Sequence, residues 1–112
     1  MRETEQRWRA AWKQDAEVGP VAQRILFEND RVRVWEIVLE PGQELALHTH
    51  LLDYLVVSVE TSQMEAREHT GQLRQVEPQP GDVSWTSPGD GQTHSLINKG
   101  SQRYVNRLIE LK

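Results

Sequence analysis

A chain of 112 residues with a formal net charge of −4 and a pI near 5.5 is of single-domain size, and it lacks the basic balance that a general nucleic-acid binder needs. Hydrophobic content of 37%, charged content of 27% and a mean hydropathy of −0.69 describe a soluble globular chain, with no apolar run long enough to cross a bilayer and no apolar core of a signal peptide behind Met1-Arg2-Glu3. There is no cysteine, which excludes disulfides, thiolate metal ligands and a thiol nucleophile, and which together with the lack of a leader fits a cytoplasmic protein.

Residues 3–17 are predicted to be helical. Trp8 and Trp12 stand four apart, Ala11 and Ala16 lie near the same side, and Gly19-Pro20 stops the run. The two tryptophans are read as docking residues, since aromatic stripes at helical spacing pack. This gives an N-terminal helical segment over 1–20 and a β domain over 21–112.

From Val21 the pattern changes. Val21 to Phe27 is apolar-rich, and Glu28-Asn29-Asp30 marks a turn. Arg31 to Glu40 alternates, with Val32, Val34, Glu36 and Val38 on one face and Arg33, Trp35, Ile37 and Leu39 on the other, a strand expected to be buried on both sides. Pro41-Gly42 turns into Glu44-Leu45-Ala46-Leu47-His48-Thr49-His50. Strict alternation there puts Glu44, Ala46, His48 and His50 on one face, so that two imidazoles can reach one small cation. Tyr54–Glu60 is dense in β-formers. Gln63–Glu68 reads as a largely exposed strand, His69-Thr70-Gly71-Gln72 as a hairpin turn with His69 in solvent, and Leu73–Glu77 as the returning strand. Pro80-Gly81-Asp82 turns into Val83–Thr86, and Ser87-Pro88-Gly89-Asp90-Gly91 is a loop. His94–Asn98 and Arg103–Leu111 are the last strands, the latter alternating Tyr104, Asn106, Leu108 and Glu110 against Val105, Arg107, Ile109 and Leu111. Short strands at regular spacing with Gly and Pro punctuation are the pattern of an all-β sandwich or barrel.

Two motifs carry the chemistry. Gly42-x5-His48-x-His50-x3-Tyr54 resembles the first motif of the cupins, Gly-x5-His-x-His followed after three or four residues by Glu. Gly81-x6-Pro88-x2-Gly91-x2-His94-x3-Asn98 resembles the second, Gly-x5-Pro-x-Gly-x2-His-x3-Asn. It matches fully from Gly91 onward and is stretched by one residue on each side of Pro88. The resemblance covers roughly residues 24–111. It implies an all-β, cupin-type double-stranded β-helix, a jelly-roll barrel, with the short helix ahead of it. It also implies a divalent transition metal (Fe, Ni, Cu, Zn or Mn) held by His48, His50 and His94. Neutral imidazoles suit that series, and three protein ligands leave the ion open to substrate. A narrower likeness, in Glu28-Asn29-Asp30-Arg31-Val32 and Asp53-Tyr54, is to small bacterial cupins assigned to β-alanine degradation.

Tyr54 stands where the motif has Glu. Three readings follow: a three-histidine site completed by water, Tyr54 as a phenolate ligand, or a carboxylate from another strand, for which Glu36 and Glu44 are the candidates. Tyr54 is also the candidate catalytic proton or hydrogen-bond donor. Ser58, Met64 and Trp85 are candidate pocket residues. Asn98 and Asp82 read as structural hydrogen bonders, and Gly42, Gly81 and Gly91 as turn residues. The resemblance suggests O2-dependent oxidation, as in a cupin dioxygenase, or isomerisation of a small organic substrate. Loss of the Glu leaves open a non-catalytic binding or sensing module with a weakened or empty site. No nucleic-acid or membrane partner is expected. Apolar strands and the tryptophan helix point to a homodimer. Neither a nucleophile elbow nor a facing pair of carboxylates supports a hydrolase.

Overall fold

In a computed structural model, which describes residues 22–112, alternating β-formers and Gly/Pro turns produce nine strands. They are β1 (Arg24–Glu28), β2 (Val32–Leu39), β3 (Glu44–His50), β4 (Tyr54–Glu60), β5 (Met64–Glu68), β6 (Leu73–Val76), β7 (Val83–Thr86), β8 (Gln92–Asn98) and β9 (Tyr104–Leu111). There is no helix among the described residues, and none therefore that could cross a membrane. The helix predicted over residues 3–17, and the segment 1–20 that holds it, lie outside the described residues.

All pairings are antiparallel, in two sheets ordered β1-β2-β9-β4-β7 and β3-β8-β5-β6. The turns are set by the chemistry that the sequence offered. Asn29 Oδ1 accepts from the amides of Arg31 and Val32, and Asp82 Oδ2 accepts from the amide of Gln79. Gly42 and Gly81 take φ of +85° and +88°, where a Cβ is strained. Asn98, fully buried, donates to the carbonyls of Leu39 and Gln102 and accepts from the amide of Gly100, so one amide clamps three segments.

The core lies between the sheets. Trp35, Ile37 and Leu39 of β2 and Tyr104 and Leu108 of β9 face inward, as their alternation predicts, and meet Leu45, Tyr54 and Met64. Full burial of a side chain such as Leu39 or Met64 contributes about 1.5–3 kcal/mol. The outer face of β2 is half-buried rather than fully buried. Strand β5 corrects an expectation: Met64 and Ala66 are 1% and 2% exposed, so its inner face is core, although the short run of charged residues around them reads as solvated.

Strand β3 also departs from strict alternation. Leu45 pairs with Leu96 and His48 with His94, so three steps on β3 face two on β8. This is a one-residue bulge. It turns Leu45 inward together with His48 and His50, and leaves Glu44 and Ala46 in solvent.

Candidate metal centre

The bulge on β3 and the register of β8 decide the site. After the bulge, His48 and His50 resume alternation and point between the sheets. His94 lies directly opposite His48, and Gln92 directly opposite His50. The three rings meet edge to face, with centroids 4.6–5.0 Å apart. Their Nε2 atoms converge: His50 Nε2 is 3.1 Å from His48 Nε2 and 3.1 Å from His94 Nε2. Among the described residues this is the one cluster of metal-ligating type, and it contains no carboxylate.

Protonation chemistry fits a cation at the centre. His48 Nδ1 lies 2.8 Å from the carbonyl of Ala46, which only a protonated Nδ1 can satisfy, so its Nε2 carries a lone pair. His50 Nε2 has either one proton or one lone pair, yet it faces two nitrogens at the same distance. A proton shared with His48 leaves the contact with His94 unsatisfied. A metal ion accepts all three lone pairs at once.

The rings are also held neutral. Burial, with the neighbouring His94 adding to it, lowers His48 to about 3 against the opposing Ala46 carbonyl. Burial, then His48 and His94, takes His50 well below its ordinary value. Burial, then the charge of Arg74, lowers His94 to about 4. Neutral imidazole is the form that binds metal. His50 Nδ1 and His94 Nδ1 are buried with no hydrogen-bond partner among the described residues, so His48 alone has its ring fixed by the backbone.

The alternatives for a fourth ligand separate. Glu44 is exposed on the far side of the bulge. Glu36 lies on the outer face of β2, where its carboxylate holds Arg24 at 2.7 Å and Arg107 at 3.1 Å. Neither carboxylate reaches the histidines, which corrects that reading. Tyr54 does lie at the site: its ring stacks on His50 at 4.3 Å, and its hydroxyl donates to Gln92 Oε1 at 2.6 Å. Burial raises its pKa, which keeps it a neutral phenol in the protein alone.

The histidines open on a barrel cavity of about 400 Å³, a volume suited to a small organic molecule. Ser58 and Trp85 line it as expected, Trp85 at the rim with half its surface exposed. Met64 is packed in the core instead of lining the cavity. His69 is exposed at its turn. Sequence reading missed Gln92 and Arg74. Gln92 lies two residues before His94 on one strand, so period-two counting back from His94 finds it once β8 is begun at Gln92. Arg74 gave no such signal, because β6 looks like an ordinary solvated hairpin arm.

No protein-family model matches the chain, and no curated protein matches it. Solved structures do. A cupin domain from Bordetella pertussis Tohama I is 27% identical, with a TM-score of 0.72 over 86% of this chain and 96% of that one. A conserved protein with a double-stranded β-helix domain from Klebsiella pneumoniae is 22% identical, with a TM-score of 0.65 over 87% of this chain and 84% of that one. The polyketide cyclase RemF from Streptomyces resistomycificus is 18% identical, with a TM-score of 0.59 over 79% of this chain and 62% of that one. The narrower likeness to β-alanine cupins finds no support among these structures.

Proposed function

The chain is a small cupin by fold, and we propose that it binds one divalent transition metal through His48, His50 and His94 and uses it on a small organic substrate in the barrel cavity. The observation that carries this reading is the convergence of three Nε2 atoms, each 3.1 Å from its neighbour in the chain His48–His50–His94, around a point that one proton cannot satisfy. The reaction class we assign is oxidation by O2 or isomerisation.

A bound ion supplies Lewis acidity, and redox chemistry where the metal allows it. The chain supplies the rest. His48, oriented by the Ala46 carbonyl, presents a fixed lone pair. Tyr54 buttresses the His50 ring and holds a hydroxyl proton on Gln92 Oε1, from which it can turn to a substrate oxygen. Ile37, Val56, Leu96 and Leu108 give the cavity an apolar wall, while the buried Ser58 and Asn106 offer hydrogen bonds from it.

Metal analysis of protein purified without chelator tests the reading. One equivalent of iron, nickel, copper, zinc or manganese is expected in the native chain and none in His48→Ala or His94→Ala. A folded native chain that arrives metal-free and takes up none of these ions on addition overturns it.

One observation favours a second reading, a binding or sensing module without turnover. Tyr54, hydrogen-bonded to Gln92, stands where the motif has its carboxylate, so a bound divalent ion would keep its full positive charge and attract an anion without a protein carboxylate beside it. Incubation of metal-loaded protein with a bound small molecule separates the two: the module returns it unchanged under air.

A further inference from the structure

The cavity wall has an unbalanced charge. Among the residues that line it, Arg74 alone is permanently charged, and neither Asp nor Glu is present. Three neutral imidazoles leave the charge of a divalent ion uncompensated, and Arg74 adds a further positive charge at the same opening. No acidic side chain of the lining offsets this charge, and Glu68, the one acidic partner of Arg74 among the described residues, lies outside the lining.

Position makes Arg74 usable. It lies on β6 opposite Ala66, which lies opposite Leu96 on the histidine strand β8, so the small Ala66 methyl separates the arginine from the row beside His94. Its side chain is 59% exposed and lies 3.7 Å from Glu68, an ion contact longer than a hydrogen bond. The guanidinium is therefore tethered at the rim but not clamped. Ile37, Val56, Leu96 and Leu108 give the remaining wall much of its apolar surface.

We propose that the ligand of this cavity is a small organic carboxylate, whose carboxylate group is held by the planar guanidinium of Arg74 at the rim while its body runs along the apolar wall toward the three histidines. A guanidinium fork matches a carboxylate in two parallel hydrogen bonds. The same fork also fits a phosphoryl group, so inorganic phosphate is one arm of the test. The proposal deepens the functional reading above and rests on it for the far end of the ligand, but the arginine end stands on its own geometry.

The test is calorimetric titration of nickel-loaded and of metal-free protein with succinate and glutarate, their neutral diamides and inorganic phosphate. The native chain, Arg74→Gln and Arg74→Lys are compared, with nickel stoichiometry and circular dichroism measured on the same samples. The acids are expected to bind the native chain, to bind Arg74→Gln at least tenfold more weakly, and to bind Arg74→Lys with intermediate affinity, with no binding of the diamides. Equal binding by Arg74→Gln, equal binding of acids and diamides, phosphate binding as tightly as the acids, or no binding of either acid overturns the proposal. Loss of nickel or of fold in Arg74→Gln makes Arg74 a structural support and also overturns it. A native chain that takes up no nickel but binds the acids through Arg74 keeps the carboxylate site and removes the metal reading.

Discussion

Two buried polar clusters lie on the inner faces of this barrel, and they are built on opposite plans. On β2, β9 and the ends of the chain, Arg33 and Glu110 are 0% and 1% exposed. Arg33 Nε donates to Glu28 at 2.8 Å, Lys112 Nζ lies 2.7 Å from the same carboxylate, and Trp35 Nε1 donates to Glu110 at 2.5 Å. Two cations face two carboxylates, and the cluster closes on itself. The histidine cluster brings three lone pairs together and no opposing charge. A buried group whose counter-charge comes from the same chain is structural; one whose complement must come from outside is a receptor. The difference separates stabilising polar residues from functional ones without reference to motif.

Breaking the closed cluster has the larger effect. Glu110→Ala removes one carboxylate from beside a fully buried guanidinium and leaves the Trp35 indole without its acceptor. A loss of about 3–5 kcal/mol is expected, seen as a lower urea midpoint with an unchanged slope. His50→Ala removes no counter-charge, so its loss of apo-protein stability is expected to be clearly smaller; an equal loss ends the distinction.

The pH dependence sharpens the comparison, because the two clusters have opposite signs. His48 and His94 are lowered to about 3 and about 4, from an ordinary 6.5, so below that ordinary value the unfolded chain binds protons that the folded chain refuses. Their effect is a stability that is full above about pH 6.5 and falls as the pH drops toward the folded values, by about 1.4 kcal/mol per pH unit for each proton. Glu110 is raised, chiefly by burial, so its contribution is present at low pH and is lost as the pH rises through its folded value. In metal-free protein between pH 6.5 and 4.5, His94→Gln should flatten the slope of stability against pH, and Glu110→Gln should steepen it near the acid end. Parallel curves for all three proteins refute the assignment.

The smallest effect belongs to Tyr54. Tyr54→Phe keeps the ring on His50 and removes the hydrogen bond to Gln92. A loss of about 1 kcal/mol with unchanged metal stoichiometry is expected. A fall in metal content makes the phenol a ligand.

Most of this architecture was legible in the sequence, because alternation and turn chemistry are local. The inward row Tyr104, Asn106, Leu108 and Glu110 and the row Trp35, Ile37 and Leu39 are found by counting in twos. The three histidines are found by motif, and Asp82 and Asn98 by the turns that they close. What stayed hidden depends on register between strands. The pairing of Arg33 with Glu110 across β2 and β9, and of His50 with Gln92 across β3 and β8, is set by partners distant in the chain. The exposure of Glu44 and the inward turn of Leu45 follow from a bulge that no residue type between them announces.

That bulge has a consequence for how such a chain can change through descent. Surface loops such as the one around Pro88 can gain or lose residues with little harm. Between Leu45 and His48 the length is counted. At the present length, regular pleating without the bulge would put Leu45 and His48, three apart, on opposite faces and force a choice between burying the leucine and burying the histidine. In this short stretch length and bulge are tied together, since a change in one without the other turns the leucine or the histidines outward, so the spacing carries information that the identities of Ala46 and Leu47 do not.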